Sequence, residues 1–143
     1  MSRQIKNIIA ITFFLICIGL INVAGQNIEI EIRGMNAFTF ILIIAVLLQV
    51  IFFIPSFLLK TEKYYDLVGS LTYITTISLA YFSVENKTMI DSIIYFYVMV
   101  WALRLGIYLF RRVRNDGKDV RFEKAKRHFF WFLQYWMGQA LWV

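Results

Sequence analysis

The 143-residue chain has one cysteine, one proline and one histidine. Each scarcity closes off a class of protein. Cys17 has no second thiol to pair with, so no disulfide forms within the chain and redox compartment is not written in it. It lies inside an apolar run, where a thiol packs as a small apolar group. His128 has no second ligand at metal-site spacing, which argues against zinc. Seven glycines and Pro55 leave no low-complexity linker, and no internal repeat is visible. The glycine fingerprint of a dinucleotide-binding βαβ unit is missing, and so is a nucleophile elbow.

Apolar residues are what the chain has in excess. They make up 60% of it, and the mean hydropathy is +0.66. A soluble domain carries roughly 45–50% apolar residues. Here the surplus is gathered into long continuous runs, which predicts an integral, all-α membrane protein. Continuous rather than alternating runs argue against a β-barrel. Four full spans are expected, at about Ile5–Ala24, Ala37–Leu59, Tyr65–Ser83 and Ser92–Phe110. A fifth apolar run opens at Phe129 and is still apolar at Val143. The reading is a multi-pass helical bundle, residues 1–143 forming a single membrane domain, the amino-terminal part of a longer chain. The first span is also weighed as a cleaved signal peptide; its length favours a retained helix. Pro55 falls in the last turns of the second span, where it can kink the helix. Gln49 is that span's one strongly polar group and reads as a helix-packing amide.

The formal net charge is +6, and its placement carries information. Arg3, Lys6, Lys60, Lys63 and the basic stretch 111–127 collect on one side of the four crossings. Arg33 and Lys87 alone lie on the other. The positive-inside rule then puts the amino terminus and the basic loop in the cytoplasm.

Two polar stripes stand out. At steps of three and four, Tyr97, Trp101, Arg104, Tyr108 and Arg111 share one face of the fourth span. A guanidinium at mid-membrane costs roughly 2.5–3.5 kcal/mol on insertion scales. Arg104 lies about 10 Å of helix rise from Arg111, within partial snorkelling reach of the surface. Trp101 and Tyr108 are placed to offer it aromatic faces. Asp66, Gly69, Ser70, Tyr73 and Thr76 mark the third span. The short turn between the third and fourth spans makes them antiparallel neighbours, with Asp66 expected to face and neutralise Arg104. The plain alternative is a snorkelling arginine and an aspartate at a helix start. The functional reading is a polar pocket for a lipid-like molecule. The basic stretch itself reads as a positive-inside signal that attracts anionic membrane lipids, or as a phosphate or dinucleotide site built from arginine forks. Within it Asn115–Gly117 reads as a turn, and Asp119 and Arg121, just past that turn, brace the loop. Nucleic acid is not an expected partner.

Several segments, in this order, resemble a bacterial branch of the steroid 5α-reductase-like membrane proteins. They are Asp66-Leu-Val-Gly-Ser-Leu-Thr-Tyr73, Trp101-Ala-Leu-Arg-Leu-Gly106, Arg111-Arg112, Gly117-Lys-Asp-Val-Arg-Phe122, Phe130-Trp131 and Gln139-Ala-Leu-Trp-Val143. The resemblance spans roughly Tyr64 to the end. It implies an NADPH-dependent oxidoreductase of lipid metabolism that reduces a carbon–carbon double bond in a steroid-like or lipid-like substrate. It places Arg104, Asp119 and Arg121 on the cofactor side and Asp66 and Tyr73 on the substrate side, as catalytic candidates. Val100 and Trp101 stand near the places where characterised reductases carry a His-Tyr pair. The rival is a non-catalytic small membrane protein that binds lipid or a helical partner. A reading frame that continues past Val143 with further apolar spans favours the enzyme.

Overall fold

A computed structural model describes residues 2–116 and 119–143. Its elements are α1 (Arg3–Ala24), the two-stranded hairpin β1 (Glu31–Ile32) and β2 (Met35–Asn36), α2 (Ala37–Leu58), α3 (Tyr65–Ser83), α4 (Met89–Asp116) and α5 (Phe129–Trp142). Short 3-10 turns occupy Gly25–Asn27, Val120–Phe122 and Ala125–Arg127. The result is an all-α membrane bundle. Among the described residues, α1, α2 and α4 are long and apolar enough to cross a bilayer. The third helix is 19 residues long, but Asp66, Ser70, Thr72, Thr75 and Thr76 dilute its apolar content, and α5 has 14 residues.

The ends of the helices are set by local chemistry. Ser2 Oγ accepts the Ile5 amide at the start of α1, and Asn36 Oδ1 accepts the Thr39 amide at the start of α2, each satisfying an orphan donor. The second helix closes as a Schellman turn. Lys60 takes a left-handed φ of 50°, and the Thr61 amide donates back to Ser56 O at 2.9 Å. The hairpin between α1 and α2 turns at Arg33 (φ 54°) and Gly34 (φ 75°), the paired positive φ of a tight hairpin turn.

The fourth helix outruns its expected span at both ends. Thr88 and Asp91 cap each other's amides, at 2.8 and 3.2 Å, so the helix starts at Met89 rather than Ser92. It then continues through Arg111–Asp116, because charged residues end a hydrophobic run without ending a helix. The first six residues of the expected basic loop are therefore helix. Asn115 and Asp116 are helical rather than a turn, while Gly117 and Lys118 lie outside the described residues.

Third and fourth helices do pack antiparallel. Ser70 Oγ donates to Ala102 O at 2.5 Å, Ser78 and Tyr95 meet at 3.5 Å, and Tyr81 and Ser92 at 3.0 Å. Small side chains let the two backbones approach, with Ala102 and Gly106 buried against α3. On the other side α3 runs parallel to α5: Tyr65 Oη donates to Tyr135 O at 3.0 Å and Tyr73 Oη to Trp142 O at 2.9 Å. Gln49 on α2 is fully buried and donates to Thr72 Oγ1 at 3.0 Å, and Thr72 donates onward to Val68 O at 2.7 Å. Gln49 is thus the helix-packing amide expected of it. The densest core is aromatic: Phe53, Phe122, Phe132 and Trp136 are buried together. It lies at the end of the bundle where α1, α3 and α5 begin and α2 and α4 finish.

Candidate functional site

That same end holds nearly all the interhelical charge chemistry. Two carboxylates form its base. Asp66 sits in the first turn of α3. Asp119 comes after α4 and caps the 3-10 turn by accepting the Arg121 amide at 3.0 Å. Arg121 curls back onto Asp119, its Nε 3.0 Å from Oδ1 and its Nη2 2.5 Å from Oδ2. The same Nη2 lies 3.5 Å from Asp66 Oδ2. Arg112, from the last turns of α4, reaches Asp119 at 3.5 Å and Asp66 at 3.7 Å. The carboxylates are nearly covered, with side chains 11% and 9% exposed, whereas those of Arg112 and Arg121 are 40% and 52% exposed. The acids therefore orient the guanidiniums, Asp119 taking both Nε and Nη2 of Arg121, while the two arginine side chains stay about half-exposed.

A third acid anchors this layer to the α2–α3 link. Glu62 is buried, accepts the Asp119 backbone amide at 3.1 Å and pairs with Lys126 at 2.6 Å. Nothing in its sequence neighbourhood marks it beyond being the lone acid between Lys60 and Lys63. Read from sequence it belongs to the link, and its role is missed.

Arg121 holds the Asp119 carboxyl below the ordinary aspartate value of 3.8, against a smaller opposing push from burial. A depressed acid stabilises the fold at pH above its unfolded value and loses that contribution as pH falls through its folded value. We expect the Asp119 carboxyl carbon, followed by NMR in detergent, to titrate with a midpoint below 3.8. Arg121→Gln is expected to move that midpoint upward; a midpoint at or above the ordinary value in the unaltered protein contradicts the bracing role.

Of the five candidates, the fold gathers Asp66, Asp119 and Arg121, and adds Arg112. The expected Asp66–Arg104 pair does not form; Asp66 turns to Arg112 and Arg121. The reason lies in which stripe of α4 is interior. Ala102, Gly106 and Val113 are buried, so the face bearing Tyr97, Trp101, Arg104, Tyr108 and Arg111 is left exposed. Among the described residues Arg104 stacks on neither Trp101 nor Tyr108. Trp101 instead meets Tyr73 edge-on at 4.9 Å. Arg104 lies with Arg111, Arg112 and Asn115 along an open groove of about 570 Å³. Tyr73 stands two turns beyond Asp66, its hydroxyl committed to Trp142 O. A second, almost wholly apolar cleft of about 410 Å³ opens between the end of α2 and the start of α3, lined by Phe52, Pro55, Leu59, Leu67, Val68 and Leu71.

Fold and site together define a helical membrane protein with an arginine–carboxylate cluster at its basic end. Residues 52–143 match the model of a family described as proteins of unknown function, DUF1295, and the chain belongs to that family, which is associated with steroid 5α-reductase-like proteins. Searches of curated proteins and of solved structures give no match.

Proposed function

We propose that this protein is an NADPH-dependent reductase of a carbon–carbon double bond in a steroid-like or lipid-like substrate, working from the cytoplasmic side of the membrane. The observation that carries the reading is the pair of half-exposed arginine forks, Arg112 and Arg121, set on covered carboxylates beside an apolar cleft at the same end of the bundle. Planar guanidiniums match phosphate oxygens, and an acid behind each one fixes its orientation. This donor set fits the phosphates of a dinucleotide without the glycine-rich nest of a soluble dinucleotide fold. Bound NADPH supplies the hydride. Asp66 and Asp119 hold the forks in place, which moves Asp66 from the substrate side to the cofactor side. The apolar cleft between α2 and α3 suits a lipid-soluble skeleton and excludes water from it. Tyr73 positions α5 through its bond to Trp142 O. Arg104, one step along the groove, extends the cationic track that begins at Arg112.

Titrating the detergent-solubilised protein with NADPH, read by nicotinamide fluorescence, tests this. Arg121→Ala is expected to weaken binding by at least about tenfold, the worth of one charge-assisted fork. Arg104→Ala is expected to weaken it by about threefold or less, since that arginine lies farther out. Undiminished affinity in folded Arg121→Ala removes the cluster as a cofactor site.

A further inference from the structure

A separate cleft of about 540 Å³ opens where α1 and α5 both begin. Its lining brings together Arg3, Gln4 and Asn7 from α1 with Arg127 and His128, just ahead of α5, and Trp131 in its first turn. No carboxylate lines it among the described residues. The guanidinium of Arg3 rests over the Trp131 ring at 4.6 Å from its centroid, so this cation is held in place rather than free in solvent. His128 stacks nearly parallel to the same indole, with centroids 6.1 Å apart and planes 23° apart. Asn7 carries the argument furthest. It is only 8% exposed, the one buried residue of α1. Its side-chain amide makes no hydrogen bond among the described residues, and its polar atoms stay open to solvent while the residue borders the cleft. An amide that is packed on its other sides and spends neither donor nor acceptor on the protein is a hydrogen-bonding group left available to an occupant of the cleft.

We propose that this cleft binds the phosphodiester headgroup of an anionic membrane phospholipid. Two cations and an unspent amide form a set of donors suited to a group with several acceptor oxygens. The position selects a lipid over a soluble phosphate. The cleft lies at the starts of two helices of a membrane bundle, and Phe129 and Phe130 on its rim are 45% and 40% exposed, placed as apolar side chains beside the acyl chains. Arg3 and Asn7 lie outside the residues matched by the family model. The site also shares no residue with the arginine–carboxylate cluster, so it stands independently of the reductase reading.

The test uses the purified, delipidated protein in a neutral detergent, titrated with phosphatidylglycerol and, as control, phosphatidylcholine of the same chains, with binding read by native mass spectrometry. The unaltered protein is expected to favour phosphatidylglycerol, and Arg3→Gln/Arg127→Gln to lose that preference by about tenfold. Asn7→Leu removes a donor without breaking any protein hydrogen bond, so it is expected to fold normally and to bind phosphatidylglycerol about threefold more weakly. The melting temperature and the NADPH titration of each variant report folding and the other site separately. Equal uptake of the two lipids, an undiminished preference in folded Asn7→Leu, or displacement of the lipid by equimolar glycerol phosphate overturns the proposal.

Discussion

Lys126→Met is expected to lower unfolding stability by about 3 kcal/mol, the lower end of what breaking a buried ion pair costs. The lower end applies because the Lys126 side chain keeps 21% of its surface in solvent, while that of Glu62 keeps 3%. The loss is not mainly the missing attraction. It is the stranded carboxylate, left in the interior with the Asp119 amide as its one remaining partner among the described residues. The same logic predicts rescue. Lys126→Met/Glu62→Gln removes the buried charge, keeps a carbonyl oxygen for the Asp119 amide, and is expected to recover most of the loss. Thermal unfolding in detergent, followed by circular dichroism, measures both. A single variant as stable as the parent, or a double variant no better than the single, defeats the account. Because Glu62 also holds the backbone at Asp119, Lys126→Met is expected to loosen the arginine cluster and weaken NADPH binding in parallel.

The second large effect is steric. A Cβ on Gly106 would collide with Ser70 Oγ and lie 2.7 Å from Ser70 Cβ. Ser70 has nowhere to turn: it is 4% exposed and its hydroxyl is bonded to Ala102 O. Gly106→Ala therefore forces α3 and α4 apart, at a cost of about 1–3 kcal/mol for overpacking. Transferring the glycine to the opposite helix relieves the collision. Ser70→Gly/Gly106→Ala is expected to lie within about 1 kcal/mol of the parent, the remainder being one lost hydrogen bond. The double-variant cycle decides the matter, since purely additive losses mean that the two positions do not touch.

How far the sequence was legible differs from element to element. Hydropathy located α3 to the residue and α2 within one, because apolar runs bounded by Asn36, Lys60 and Val84 coincide there with real helix ends. It failed at both ends of α4, where the Thr88–Asp91 cap and the helical basic residues 111–116 obey backbone rules that hydropathy does not register. The hairpin at Arg33–Gly34 leaves no mark in the hydropathy, since only two residues pair on each strand. At the candidate site, Asp66, Asp119 and Arg121 were recoverable as charges crowded at one end of the bundle. The Asp66–Arg104 pairing fails for a physical reason: it needs the polar stripe of α4 to face α3, whereas the small residues Ala102 and Gly106 define that contact. Glu62 and Asn7 were invisible because burial, not residue type, makes them notable.

The chain of hydrogen bonds from Gln49 through Thr72 to Val68 has a consequence for assembly. Between two greasy helices, sliding by one turn alters packing only gradually, and many registers compete. With an amide pinned to a hydroxyl, a slipped α2 leaves the Gln49 amide dry and unanswered, with no solvent molecule to stand in. Insertion can therefore deliver α2 and α3 side by side in any approximate alignment, and this single contact sorts them into one.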